Sequence, residues 1–219
     1  MPLVPETSDY YTHEVVTTEA SYPRYPGSVV LEKPSKNDEC YRLKICYRRY
    51  QAAKVVDNPI NMVFLHGVGM NKGLWHYYID MLYQKYPRLN VCIAADTANH
   101  GDSAQANAGK LGHFYHWHDG SRDICKIVKN EKSFLKPNAV NIIVGHSMGG
   151  AISLIASLFE PNLFDAVVLV NPVSWTSETF KMIVGMGMSK WLTNSQMITD
   201  FTIKTDDWLQ EVNDYFKAE

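Results

Sequence analysis

Apolar residues in this chain fall into short, nearly continuous runs that are separated by longer amphipathic stretches. Short β-branched or apolar runs predict buried strands, and apolar residues at three- and four-residue spacing predict helices. The predicted strands cover 61–65, 91–95, 140–144 and 164–170, and the predicted helices cover 75–86, 118–130 and 148–159. Strands that alternate with helices indicate right-handed crossovers and a mostly parallel sheet. We therefore predict an α/β fold with helices on both faces of the sheet.

The remaining segments have other patterns. Residues 41–50 alternate apolar and polar positions, which predicts an early antiparallel strand with one solvent-facing side. Residues 1–40 are polar and contain five prolines, at positions 2, 5, 23, 26 and 34. We expect this arm to be a poor helix or sheet former that wraps over the surface. Residues 97–110 are small and polar, so the sequence predicts a loop there.

Composition and net charge limit the classes of partner that we expect. The 219 residues include 46% hydrophobic and 20% charged residues, and 21 basic against 23 acidic side chains give a net charge of −2. This balance gives no electrostatic reason to expect binding to nucleic acid or to an anionic membrane. The four cysteines form no C-x-x-C pair, and no run has the length of a membrane span. With no signal-peptide pattern at the start, an intracellular, reducing location is expected.

The most informative motif is Gly145-His146-Ser147-Met148-Gly149, which lies between the predicted strand 140–144 and the helix 148–159. A serine on such a sharp strand-to-helix turn projects its hydroxyl away from the sheet. Glycines two positions to either side allow the strand and the helix to pass closely. The start of the helix also offers free N–H groups and a partial positive charge, which suit a developing oxyanion.

Two upstream segments lie at the ends of earlier predicted strands. His66-Gly67-Val68-Gly69 follows the strand 62–65, and Asp96 is followed by Asn99-His100-Gly101-Asp102-Ser103 after the strand 91–95. With these three motifs in this order, the chain resembles the α/β-hydrolase family of serine hydrolases. The resemblance implies that Ser147 is the nucleophile and that the backbone N–H groups of Val68 and Met148 form the oxyanion hole. The supporting turn residues would be His66, Gly67, Gly145, His146 and Gly149.

The resemblance also implies a function. It predicts hydrolysis of carboxylic esters, including acyl glycerols, by a lipase or esterase that uses no cofactor and acts on a small-molecule ester or lipid. Within the family the likeness is to peroxisomal members described as lipases, which implies a peroxisomal location. The last residues, Lys217-Ala218-Glu219, do not form a Ser-Lys-Leu-like import signal.

A histidine-rich stretch has an alternative interpretation as a metal site. His113, His116, His118 and Asp119 supply ligand types that bind zinc. Their spacing does not place all three histidines on one face of a helix or strand. We therefore predict an aromatic, polar loop that runs into the helix at 118–130, and no metal.

The general base that a serine nucleophile requires is not evident. In this family the order along the chain is serine, acid, histidine, and no histidine follows Ser147. We interpret His66 and His100 as residues that fix backbone geometry, and we do not assign His146 as the base because adjacent side chains on the turn diverge. The histidines of the chain are at positions 13, 66, 76, 100, 113, 116, 118 and 146.

Two explanations of the missing base remain open. The chain could be the N-terminal part of a longer hydrolase that lacks the last strands of the sheet, and would then be inactive alone. It could instead be a degenerate relative that serves as a binding or interaction protein. We expect three parts: an arm at 1–40, a hydrolase core at 41–173, and a segment at 174–219 where the family inserts a helical cap.

Overall fold

A computed structural model describes residues 8–30 and 42–173. These residues form a six-stranded sheet whose strands lie in the order β1-β2-β4-β3-β5-β6. β1 and β2 are antiparallel to their neighbours, whereas β4, β3, β5 and β6 run parallel to one another. The strands are β1 Tyr11–Glu19, β2 Lys44–Ala52, β3 Ile60–Leu65, β4 Leu89–Ala95, β5 Val140–His146 and β6 Ala166–Val170.

Helices cover both faces of this sheet, as the sequence predicts. On one face α3 and α4 pack over a core that includes Val63, Ile93 and Ile143. On the other face α1 packs over Phe64 and Cys92. The helices are α1 His76–Lys85, α2 Gly101–Ala106, α3 Trp117–Asn130 and α4 Met148–Phe159, with short 3-10 helices at Lys72–Trp75 and Lys132–Leu135.

Two expectations from the sequence are wrong. Part of the arm is not irregular: Tyr11–Glu19 forms the edge strand β1 and pairs along its whole length with β2. Tyr11, which is buried, donates a hydrogen bond from its hydroxyl to Oδ1 of Asp80 at 3.0 Å. The polar residues of β1 face solvent, so the strand depends on its partner strand more than on apolar alternation.

The second correction concerns residues 97–110, which contain the short helix α2. Its stability comes from contacts with the end of β4. The carboxylate of Asp96 accepts the N–H of Asp102 at 2.9 Å, and the Ser103 hydroxyl donates to the Asp96 carbonyl at 3.2 Å. Because α2 is only six residues long, its sequence shows no helical periodicity that would have predicted it.

The described part of the chain ends just after β6. Val168, Leu169 and Val170 in this strand are partly exposed, unlike the residues of β4, all of which are buried. The predicted helical cap at 174–219 and the prediction that the last strands are missing fall outside the described residues. Within the residues described, no helix has both the length and the apolar character to cross a membrane.

Candidate active site

Ser147 occupies a strained turn between β5 and α4. Its backbone has φ 51° and ψ −115°, an uncommon conformation for a residue other than glycine. The turn is tight, because a Cβ on Gly149 would lie 2.4 Å from the Leu65 carbonyl oxygen and one on Gly145 would lie 2.2 Å from that of Gly149. Ser147 is half-buried at this edge of the sheet.

Two backbone N–H groups beside Ser147 are available to bind an anion. Met148 is the first residue of α4, and Val68 lies in the loop that follows β3. Among the residues that the structure describes, neither N–H donates a hydrogen bond. Gly67 brings the two loops together, since a Cβ at that position would lie 3.2 Å from Cβ of Ser147. The loop that carries Val68 therefore approaches the predicted nucleophile at Gly67.

His66 is fully buried at the end of β3 and contacts the backbone through both ring nitrogens. Its Nε2 accepts the N–H of Thr97 at 3.2 Å, and its Nδ1 lies 2.8 Å from the Gly67 carbonyl oxygen. An acceptor at Nε2 requires the proton to be on Nδ1, which then donates to Gly67. Burial lowers the pKa of His66, although the nearby Asp96 carboxylate opposes that shift. A ring that accepts at one nitrogen and donates at the other is neutral.

His100 has a matching environment in the loop after β4. Its Nε2 accepts the N–H of Gly69 at 3.2 Å, and its Nδ1 lies 2.7 Å from Oγ1 of Thr97. Burial, with His66 nearby, holds the pKa of His100 well below its usual range. The rings of His66 and His100 lie 4.8 Å apart between centroids. Both histidines therefore contact the backbone of the oxyanion loop, as the sequence suggests.

An ion pair that the motifs do not reveal joins the same two loops. Nζ of Lys72 lies 2.7 Å from Oδ2 of the buried Asp96, and Lys72 also pairs with Asp102. Burial alone would lower the pKa of Lys72, but the two carboxylates more than offset this and raise it. The backbone N–H of Lys72 donates to Asp96 as well, at 2.6 Å. Only the tertiary structure brings these residues together, and neither local segment predicts the contact.

His146 points from the nucleophile turn toward an apolar groove of about 590 Å³. Its Nδ1 packs against Gly67, where a Cβ would lie 2.7 Å away. That nitrogen has no hydrogen-bond partner among the described residues. Burial lowers the pKa of His146. The groove lies between α1 and the sheet, and its other lining residues include Met70, Trp75, Tyr78, Val144, Val168 and Val170.

The histidine-rich stretch that runs into α3 makes structural contacts. His116 stacks on Tyr25 with 4.7 Å between ring centroids, and His118 packs against Phe159. Asp119 is buried and accepts the Ser28 hydroxyl at 2.9 Å. In residues 8–30 and 42–173, no three metal-binding side chains come together in a way that could hold an ion.

Two other histidines belong to a separate aromatic cluster. Nδ1 of His76 lies 2.8 Å from the Tyr50 hydroxyl, and the ring of His13 packs against that of His76 with 5.5 Å between ring centroids.

Within the described residues, the histidines at the candidate site are therefore His66, His100 and His146. The first two are committed to backbone hydrogen bonds, so neither is free to accept a proton from Ser147.

A Gly-x-Ser-x-Gly turn beside a glycine-rich loop, both at the carboxyl ends of parallel strands, is typical of the α/β-hydrolase fold. The family model described as the alpha/beta hydrolase fold matches residues 60–205. The chain therefore belongs to the α/β-hydrolase fold family.

Among curated proteins, the chain is similar to the peroxisomal membrane protein LPX1 of Saccharomyces cerevisiae. The two are 33% identical over 222 residues, which cover 94% of this chain and 54% of that protein. It is also 30% identical over 155 residues to the type I acyl-CoA thioesterase mpaH' of Penicillium brevicompactum, covering 68% of this chain and 35% of the relative. The chain spans about half the length of LPX1 and about a third of that of the thioesterase.

Among solved structures, the peroxisomal alpha-beta-hydrolase Lpx1 of Saccharomyces cerevisiae matches with a TM-score of 0.66 at 36% identity. The match covers 77% of this chain and 46% of the solved one. A thermostable carboxyl esterase from Bacillus coagulans matches with a TM-score of 0.52 at 18% identity, covering 78% and 51%. At that identity the second likeness shows the fold alone.

Proposed function

We propose that the protein is a serine hydrolase of carboxylic esters, with Ser147 as its nucleophile. The observation that carries this proposal is the turn itself. Ser147 has a strained backbone and a half-buried side chain, and it lies beside two backbone N–H groups that are unpaired among the described residues. A strained residue at the carboxyl edge of a parallel sheet is a common feature of a reactive site.

The chemistry follows from this geometry. The Ser147 hydroxyl would attack an acyl carbonyl carbon, and the carbonyl oxygen would become an oxyanion held by the N–H groups of Val68 and Met148. Loss of one such donor typically costs about 3 kcal/mol of transition-state stabilisation. The attack also requires a base to take the hydroxyl proton. No histidine in the chain follows Ser147, so the base and its acid remain unassigned.

The comparisons support an acyl substrate. One relative is named as an acyl-CoA thioesterase, and oxygen esters and thioesters are cleaved by the same nucleophile and oxyanion hole. We propose a lipid-derived acyl ester or thioester, and a peroxisomal location, since LPX1 is named as peroxisomal. The competing proposal is a non-catalytic binding protein, which is favoured by the absence of an assigned base.

A fluorophosphonate probe tests the two proposals. The protein expressed from its complete coding sequence should be labelled, and Ser147→Ala should abolish the labelling. Ser153→Ala is a matched control, because the Ser153 hydroxyl is buried and donates to the Gly149 carbonyl at 2.7 Å. Labelling that persists in Ser147→Ala, or a folded wild-type protein that is not labelled, would contradict the hydrolase.

The 219-residue chain alone gives a second test. We expect it to hydrolyse p-nitrophenyl esters at a negligible rate, because no histidine follows Ser147 to act as the base. Robust turnover by this chain that is abolished by Ser147→Ala would show that one of its own residues serves as the base.

A further inference from the structure

The contacts of the oxyanion loop reveal how its N–H donor is held in place. The orientation of the Val68 N–H depends on the two peptide groups that flank this residue, because a peptide group is planar. The first group consists of the Gly67 carbonyl and the Val68 N–H. The second consists of the Val68 carbonyl and the Gly69 N–H. If both planes are fixed, the backbone dihedral angles of Val68 are fixed too.

Each of these peptide planes contacts a different buried histidine, and the Gly67 carbonyl on the first plane also accepts the Met70 N–H at 3.2 Å. Nδ1 of His66 lies 2.8 Å from the Gly67 carbonyl oxygen, on the first plane. Nε2 of His100 accepts the Gly69 N–H at 3.2 Å, on the second plane. Both side chains are fully buried, so water does not compete for these contacts.

We propose that His66 and His100 form a histidine clamp, a pair of positioning residues that fix Val68 so that its N–H points at the oxyanion. This proposal deepens the proposed function and rests on it. The clamp works only when both rings are neutral with the proton on Nδ1. A proton on either Nε2 would face a backbone N–H and break the contact.

The clamp is itself anchored to the loop after β4. The Thr97 N–H donates to His66, and the Thr97 hydroxyl contacts Nδ1 of His100. The Lys72–Asp96 ion pair joins the same two loops a few residues away. Because the oxyanion loop and the loop after β4 are joined at several points, neither histidine can turn without breaking a second contact.

The first test reads the two rings directly and needs no reactive serine. Long-range proton–nitrogen NMR of the full-length protein at pH 7 should show His66 and His100 as neutral rings with an unprotonated Nε2. The Gly69 amide should be protected from hydrogen exchange. A charged ring, or a proton on Nε2 of either histidine, would overturn the clamp.

The second test separates positioning from folding. His100→Gln can place a carboxamide oxygen near the position of Nε2, whereas His100→Leu removes the acceptor. We expect fluorophosphonate labelling of the folded protein to fall about tenfold or more in His100→Leu and to be largely restored in His100→Gln. Gly69 amide exchange should follow the same order. His76→Gln, in the Tyr50 cluster, is the control for a buried histidine outside the loop.

The possible results are distinct. Labelling of folded His100→Leu at the wild-type rate would overturn the clamp and leave the hydrolase standing. An unlabelled wild-type protein would overturn the hydrolase, and the ring tautomers and Gly69 exchange would then decide whether the two peptide planes are held. If His100→Leu does not fold, His100→Gln and the NMR of the wild type decide the outcome.

Discussion

The two ends of the parallel sheet differ in how fully the described residues enclose them. All seven residues of β4 are buried, whereas Val168, Leu169 and Val170 of β6 are 44%, 37% and 40% exposed. Both strands are apolar in sequence. An apolar sequence therefore predicts that a strand is buried in the folded protein, but it does not predict which residues bury it.

This contrast runs through the candidate site as well. The oxyanion side belongs to the enclosed region, where buried polar groups join the loops after β3 and β4. The other side of Ser147 contacts the end of β6, through hydrogen bonds from the Ser147 N–H to Val170 and from the Val173 N–H to Ser147. The described residues thus include both proposed oxyanion donors, the N–H groups of Val68 and Met148, and none of them is proposed as the base.

The largest effect on stability is expected at the buried ion pair of the enclosed region. Asp96→Ala would leave Lys72 without its buried partner, and removing one member of such a pair costs about 3 kcal/mol or more. Asp102→Ala should cost under about 1 kcal/mol, because that carboxylate is half exposed and Lys72 keeps Asp96. Urea unfolding measures both variants, and equal losses would refute the distinction between them.

Two valines, one in a buried strand and one in β6, test the comparison between the strands directly. Val63 in β3 is fully buried, whereas Val168 in β6 is 44% exposed. Val63→Ala should lower the free energy of unfolding by about 2 kcal/mol, and Val168→Ala by under about 1 kcal/mol. A loss at Val168 as large as that at Val63 would show that other residues of the full protein bury β6.

The smallest effect is expected from mild acid. Burial lowers the pKa of His66 and of His100 in the folded state, so below about pH 6.5 the unfolded chain binds more protons. Their contribution to stability is therefore complete above that pH and declines as the pH falls. The groups that face them are Asp96, Lys72 and His146.

Between pH 7 and pH 6 the loss should be under about 1 kcal/mol per histidine, measured by urea unfolding. His100→Gln should flatten the profile. An unchanged slope in that variant would contradict a neutral, buried His100.

Much of the core was predictable from local pattern. The helix predicted at 148–159 is observed as α4 over the same residues, and the helix predicted at 118–130 is observed as α3 at Trp117–Asn130. The placement of Ser147 on a turn also follows locally, since the glycines of the motif identify where backbone segments must pass closely. These features depend on residues that are close together in the chain, so their spacing can be seen in the sequence.

Other features were not predictable because they depend on distant partners. β1 has mostly exposed side chains and exists through its backbone pairing with β2. α2 is too short to show a period of its own, and its Ser103 hydroxyl accepts the N–H of Cys46, which lies 57 positions away. The Lys72–Asp96 pair joins residues 24 positions apart, and nothing in either local segment indicates the other.

The sequence by itself determined the order of the elements from β2 onward except α2, the tight turn at Ser147 and the family, because steric limits and apolar periodicity act over a few residues. The tertiary structure alone decided which strands are neighbours and how the oxyanion loop is held. The contacts of His66 with Thr97 and of His100 with Gly69 each span 31 positions. Such contacts form only when the folded sheet brings the ends of β3 and β4 together.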